Sequence, residues 1–189
     1  MGKIKNMKIS NPRIFSFPPA VGNAPEFLIL GSMPGEESLR QQQYYAHPKN
    51  LFWKIMGSLL NFEHEKTPYA ERLEILKQNK IALWDVTHSC IRPGSMDSDI
   101  KHAELNDFNT FFSEHPSIKR VLCNGQTSFK IFSKYAHSGK LYNIEVIPLP
   151  STSPAFASMR FEQKLDAWRS AFIKKRTTEH GITNDEGKA

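Results

Sequence analysis

With 189 residues and 39% hydrophobic content, the chain fits one domain with a sizeable core. Lys and Arg, 25 together, exceed the 19 Asp and Glu by six, which favours polyanionic partners such as nucleic acid and is equally met by a solvated surface with a basic tail. Cys90 and Cys123 lie far apart with no CxxC or Cys/His spacing, which excludes a sequence-evident zinc site or iron–sulfur cluster, and no run approaches the ~18 apolar residues of a membrane span.

Residues 1–25 are rich in Pro, Asn and Ser and read as an extended lead-in, with Pro18, Pro19 and Pro25 blocking regular structure. The domain is expected to start near Glu26 and run to residue 176. Phe27 to Leu30 reads as a first buried strand, followed by a Gly/Pro turn, Gly31 to Gly35. Beyond a polar and aromatic loop, Leu51, Phe52, Ile55, Met56, Leu59 and Leu60 recur at helical spacing. Tyr69 to Asn79 is a second helical pattern, Ile81 to Val86 a second strand ending near Asp85, and His88 to Asp99 a polar loop. Leu105 to His115 reads as helix, Val121 to Cys123 as a third strand, Ser128 to Tyr135 as helix and Ile144 to Leu149 as a fourth strand. Phe161 to Lys175 closes the domain as an amphipathic helix with Leu165, Trp168, Ala171 and Phe172 inward. Thr177 to Ala189 is a polar tail expected to be disordered. Strands alternating with helices predict an α/β fold, a three-layer α/β/α sandwich around a four-stranded parallel sheet.

The chemistry gathers after the strands: Gly31 to Gly35, Asp85, Asn124-Gly125, and Pro150 to Ala155. Open α/β sheets hold ligands at that rim. The loop after the first strand combines aromatic, imidazole and carboxamide groups between two kinked Pro segments, a set suited to a planar heterocycle beside a water molecule.

The stretches GSMPG…YYAHPKNLFW and LPSTSPA, with LWDV between them, resemble the uracil-DNA glycosylase superfamily, and within it the hypoxanthine-DNA glycosylase (DNA-deoxyinosine glycosylase) branch, over roughly residues 26–175. The resemblance implies hydrolysis of the N-glycosidic bond of a deaminated base flipped out of single- or double-stranded DNA, hypoxanthine first and uracil second, leaving an abasic site. It further implies a monomer that needs neither metal nor cofactor. A cytoplasmic protein is expected, nucleoid-associated in a prokaryote or nuclear in a eukaryote.

Mismatch-specific relatives carry Asn in the first-motif turn where this chain has Met33, so the resemblance moves catalysis to Asn50, the Asn that the hypoxanthine branch uses. A carboxamide can hold a water for attack on C1′ and can equally cap the helix starting at Leu51. By resemblance Tyr45 stacks on the flipped base, while Tyr44, Phe52 and Trp53 read as core. Ser32 and Met33 of the turn join the base-binding set.

Asp85 stands where uracil-specific relatives keep a base-reading Asn. A carboxylate accepts only, so it favours the N1–H of hypoxanthine or N3–H of uracil over the bare ring nitrogen of adenine or cytosine. The other reading makes Asp85 a loop cap or a partner of Arg92. Pro150, Ser151, Thr152 and Ser153 resemble the second motif, which contacts phosphates and enters the minor groove, and His47 is either a DNA or water contact or a loop brace. Phe156 reads as an apolar wedge or as a loop anchor, and Arg92 to Asp97 as a base-contacting or a plain loop.

Three other functions remain open from sequence. A uracil or G:U mismatch glycosylase would use the same motifs, and a catalytically silent nucleic-acid binder would explain Met33. A phosphate-binding Rossmann-like protein fits less well, because the turn lacks GxGxxG and Pro34 removes an amide donor.

Overall fold

The computed structural model describes residues 12–137 and 143–173. Its centre is a parallel sheet of β2 (Phe27–Gly31), β3 (Ile81–Asp85), β6 (Arg120–Asn124) and β7 (Glu145–Leu149) in the order β3-β2-β6-β7. The chain steps from β2 outward to β3 and returns to β6 on the other flank of β2. The carboxyl ends of β2 and β6 therefore mark the point where strand order reverses, and a crevice opens there in such sheets.

Both faces of the sheet are buried, which is why its strands read as unbroken apolar runs. Alternate residues serve opposite layers. Ile29, Leu83 and Leu122 pack with Phe52 and Met56 of α2 (Phe52–Leu60), Leu76 of α3 (Tyr69–Gln78) and Trp168 of α6 (Phe161–Ile173). Leu28, Leu30, Ala82 and Val121 face Phe108 and Phe111 of α4 (Phe108–Glu114) and Phe132 of α5 (Gln126–Ala136). Each fully buried side chain of this kind contributes about 1.5–3 kcal/mol. The three-layer α/β/α reading of the sequence matches this architecture.

The structure departs from the expected elements in four places. Where a polar loop was expected at His88 to Asp99, Thr87–Ile91 forms β4, flanked by antiparallel β1 (Arg13–Phe15) and β5 (Lys101–Leu105) in a second sheet ordered β1-β4-β5. Only the rest of that stretch is loop. Residues 12–25 are knitted into the domain: Ala20 and Leu83 exchange backbone hydrogen bonds at 2.9 Å, and Trp84 Nε1 donates to the Phe17 carbonyl. Leu105 belongs to β5 and is exposed, so the helix expected from that residue begins at Phe108. A short helix unread in the sequence, α1 (Glu36–Gln41), follows the first turn with Glu36 and Glu37 in its first turn and Arg40 in its last, a polarity that suits the helix dipole. The expected tail, 177–189, and Lys174 and Lys175 of the closing helix lie outside the described residues.

Candidate active site

The loops after the four parallel strands enclose a cavity of about 310 Å³ over the switch point. Gly31, Asp85 and Asn124 bring in the ends of β2, β3 and β6, and Ser151 to Phe156 supply the side beyond β7. The separate polar strand ends of the sequence thus converge on one rim.

Asp85 stands beside Gly31 in the ladder. A β-carbon built on Gly31 would lie 2.3 Å from Asp85 Oδ1 and 3.0 Å from the Tyr45 hydroxyl, so only glycine leaves room for both groups. Asp85 is buried, and its Oδ2 has no hydrogen-bond partner. Burial, reinforced by the nearby negative charge of Asp97 and opposed by Arg92, raises its carboxyl to about 7. Both protonation states are therefore populated near neutrality.

No ion pair joins Asp85 to Arg92 among the described residues. Arg92 turns instead to the first-motif turn, donating through Nε to the Gly94 carbonyl at 2.9 Å and through Nη2 to the Pro34 carbonyl. The pairing considered from sequence is thereby replaced by a brace between two loops.

Tyr45 takes a left-handed backbone conformation, φ 55°, which is costly for an aromatic residue and is held by its surroundings. Those surroundings include Ser38 of α1, whose buried hydroxyl accepts the Ala46 N–H. The Tyr45 ring stacks on Phe52 at 4.0 Å, leaving its opposite face for any planar ligand. Its hydroxyl is buried beside the Asn124 carboxamide with no acceptor for its own proton, and burial, with Asp85 adding to it and Asn124 opposing it, pushes the phenol well above its ordinary pKa, so it remains an O–H donor. Tyr44, Phe52 and Trp53 are buried in the core as expected, with Trp53 Nε1 donating to the Tyr44 carbonyl.

Asn50 lines the cavity, and its Oδ1 accepts the Phe52 N–H at 3.0 Å. This hydrogen bond serves the capping role, fixes which end of the amide is oxygen and leaves that oxygen a second lone pair. His47 also lines the cavity and is exposed. Its Nδ1 accepts the Lys49 N–H at 3.1 Å, so the ring braces the loop while Nε2 remains as a donor.

Ser32 and Met33 both line the cavity, Met33 as a nearly buried apolar wall. Among the second-motif residues, Ser151, Thr152 and Ser153 line the cavity, and the hydroxyls of Ser151 and Ser153 accept the N–H groups of Ser153 and Ala155. Thr152 departs from its expected place among the DNA contacts. It is fully buried and its polar atoms are committed: its N–H and Oγ1 pair with Asn124, and its carbonyl accepts the Leu51 N–H. It is a joint between the two motif loops. Pro150 lies outside the cavity lining, with its carbonyl accepting Trp168 Nε1 at 3.1 Å. Phe156 lines the cavity and is partly exposed, while its carbonyl is held by the buried Lys164 ammonium at 2.6 Å, so it is anchored at the backbone and open at the ring.

Two residues matter more than their sequence signal suggested. Asn124 was visible only as a polar strand end, and it is the residue that clasps Thr152. Asp97 lies in a loop far along the chain, yet it accepts the Ser32 hydroxyl at 2.7 Å inside the cavity. A carboxylate and a serine separated by 65 residues leave no local pattern to read.

Comparison with known proteins places the chain in a family. The family model for the uracil DNA glycosylase superfamily matches residues 18–172. A hypoxanthine DNA glycosylase of Methanosarcina barkeri is 46% identical over 112 residues, covering 59% of this chain and 71% of that protein. A hypoxanthine DNA glycosylase of Methanosarcina acetivorans is 35% identical over 157 residues, covering 82% and 96%. The solution NMR structure of a candidate uracil DNA glycosylase from Methanosarcina acetivorans superposes with a TM-score of 0.73 at 33% identity, covering 85% of this chain and 97% of that one. A parallel sheet with its polar rim at the switch point, matched along nearly the whole described chain, makes this protein a member of the uracil DNA glycosylase superfamily.

Proposed function

We propose that the protein is a monofunctional DNA glycosylase that hydrolyses the N-glycosidic bond of hypoxanthine flipped out of DNA, leaving an abasic site. The observation that carries this reading is the meeting of a carboxamide, an aromatic ring and an unpartnered acid in one small cavity. At about 310 Å³ it is at the lower end of ligand pockets, a size for a single base.

In this reading Asn50 Oδ1 holds a water against C1′ while the sugar develops positive charge. The Phe52 N–H sets the amide beforehand, so no reorganisation is needed at the moment of reaction. The Tyr45 ring replaces stacking that the base loses on leaving the helix. The base itself meets two buried groups, the Tyr45 hydroxyl, whose proton has no protein acceptor, and Asp85 Oδ2, which has no protein donor. One donates and the other, when ionised, accepts, which suits the C6=O and N1–H of hypoxanthine. Ser151, Ser153 and His47 stand at the cavity for the DNA backbone. The named relatives, both hypoxanthine DNA glycosylases, support the choice of base.

Uracil is the second reading, because its N3–H offers Asp85 the same donor. The test is incubation with duplexes carrying one inosine or one uracil, followed by alkaline cleavage at abasic sites. Faster cleavage at inosine is expected. Faster cleavage at uracil would reverse the order, and no cleavage of either would make the protein a nucleic-acid binder.

A further inference from the structure

The loop between β4 and β5 crosses the first-motif turn and is tied to it three times. Arg92 donates to the Pro34 carbonyl, Ser95 Oγ accepts the Glu36 N–H at 2.9 Å, and Asp97 Oδ1 accepts the Ser32 hydroxyl at 2.7 Å. The first two bonds engage backbone atoms of the turn and hold the loop. The third is different, because it engages the hydroxyl proton of Ser32, a side chain that lines the cavity.

An unrestrained serine hydroxyl rotates to suit its neighbour, donating to a bare ring nitrogen or accepting from an N–H. Such a group cannot tell adenine from hypoxanthine. A charge-assisted bond to a carboxylate is stronger than one to a neutral acceptor and keeps the hydroxyl proton directed at Asp97. The Ser32 carbonyl is also occupied, accepting the Thr87 N–H at 3.1 Å, so the residue is fixed at both oxygens. With its proton given to Asp97, Oγ offers a further neighbour only its lone pairs.

We propose that Asp97 is a positioning residue for base selection: by taking the Ser32 hydroxyl proton it leaves Ser32 Oγ as an acceptor, so the cavity favours a base edge with a ring N–H and disfavours one with a bare ring nitrogen. This rests on the glycosylase reading above and deepens it. Asp85 alone does not secure that selection. When protonated it can donate to adenine N1, whereas Ser32 held by Asp97 stays an acceptor.

The test compares Asp97→Ala, Asp97→Asn and Ser32→Ala with the unaltered chain, each checked for folding by thermal melting. Two ratios are measured: single-turnover excision of inosine over adenosine at the same duplex position, and affinity for free hypoxanthine over free adenine by calorimetry. Asp97→Ala frees the hydroxyl and should lower both ratios about tenfold, the scale of one base-reading hydrogen bond. Asp97→Asn removes the same charge but keeps an oxygen acceptor, so recovery of most of the selectivity is expected. Ser32→Ala should lose selectivity by a similar factor, and adding Asp97→Ala to it should change the ratios no further. The proposal is overturned if Asp97→Ala or, should that variant not fold, Ser32→Ala keeps the original ratios, or if Asp97→Asn falls as far as Asp97→Ala. Failure of the glycosylase reading looks different: the unaltered chain would then cleave neither inosine nor uracil, while the affinity ratio would still decide the role of Asp97.

Discussion

The two sheets of the molecule are built from different material. Every residue of β3 and four of the five in β2 are buried, and the parallel sheet is held by apolar packing on both faces. In the antiparallel sheet β5 is exposed throughout, and the strands are joined by polar contacts: Arg13 donates to Ser89 Oγ at 2.7 Å, Ser89 donates to Glu104 at 2.8 Å, and Arg13 and Glu104 form an ion pair. The first sheet supplies stability and presents the reactive rim. The second carries Ser95 and Asp97 to that rim on a loop. Asp85 and Asn124 are mounted on the ends of apolar strands, Tyr45 and Asn50 on the loop between α1 and α2, and the group proposed to tune the cavity arrives on a polar accessory.

The sharpest way to break this comparison is through the core. Phe108 is fully buried against Trp84 and Phe132, so Phe108→Ala should cost about 4 kcal/mol in urea unfolding, the range for a large aromatic removed from a packed interior. A loss below about 1 kcal/mol would mean that the parallel sheet does not dominate stability.

Asp85 is the next largest test, because the apolar sheet must tolerate its acid. Its folded pKa, about 7, lies above the ordinary 3.8, so between those values the folded state binds more protons than the unfolded one. Stability should therefore fall as pH rises from about 4 to 7 and level off above. Asp85→Asn should remove that slope and at pH 8 be more stable than the natural chain, by on the order of 4 kcal/mol. The same titration should raise the preference for inosine over adenosine as pH passes 7, since the ionised carboxyl only accepts. A flat stability profile in the natural chain would count against the buried, unpartnered acid.

Removing the proposed water-holding group comes third. Asn50→Ala should slow single-turnover excision by roughly 10²-fold, about 2.7 kcal/mol in the barrier. Asn50→Ser separates the roles, since a serine can still cap the Phe52 N–H while its shorter side chain draws back from the cavity. Melting near that of the natural chain with excision still slow is the expected pattern. Full activity in Asn50→Ser would reduce Asn50 to a cap.

The smallest effect is expected in the polar sheet. Ser89→Ala breaks the link between Arg13 and Glu104 and should cost about 1 kcal/mol. Excision of inosine should hardly change, because Arg92 and Ser95 still tie the loop to the first-motif turn. A marked fall in excision would show that the accessory sheet governs the site directly.

The parallel strands were legible because burial on both faces demands continuous apolar runs, and the helices because Leu76, Trp168 and their neighbours recur at helical spacing. The rim was legible through Gly31, Asp85, Asn124 and Ser151, since polar residues after buried strands collect at one edge of such a sheet. The antiparallel sheet was not. Arg13 lies in the stretch that reads as a lead-in and Ser89 in the one that reads as a polar loop, and their contacts with Glu104 link the strands only in the folded chain. Thr152 was misplaced among the DNA contacts for a related reason: a threonine between serines in a Pro-flanked loop looks exposed until Asn124, 28 residues earlier, satisfies it.

By itself the amino-acid order determined the sheet and its layers, the first-motif turn and the resemblance that named the chemistry, because hydrophobic periodicity and turn residues act over short spans. Tertiary structure alone decided which polar groups meet. Asp85 and the Tyr45 hydroxyl share the space above Gly31, Ser32 finds Asp97, and Arg92 leaves Asp85 for Pro34. A hydrogen bond depends on atoms within about 3 Å and carries no trace of sequence separation, so these pairings exist only once the apolar core has brought the loops together.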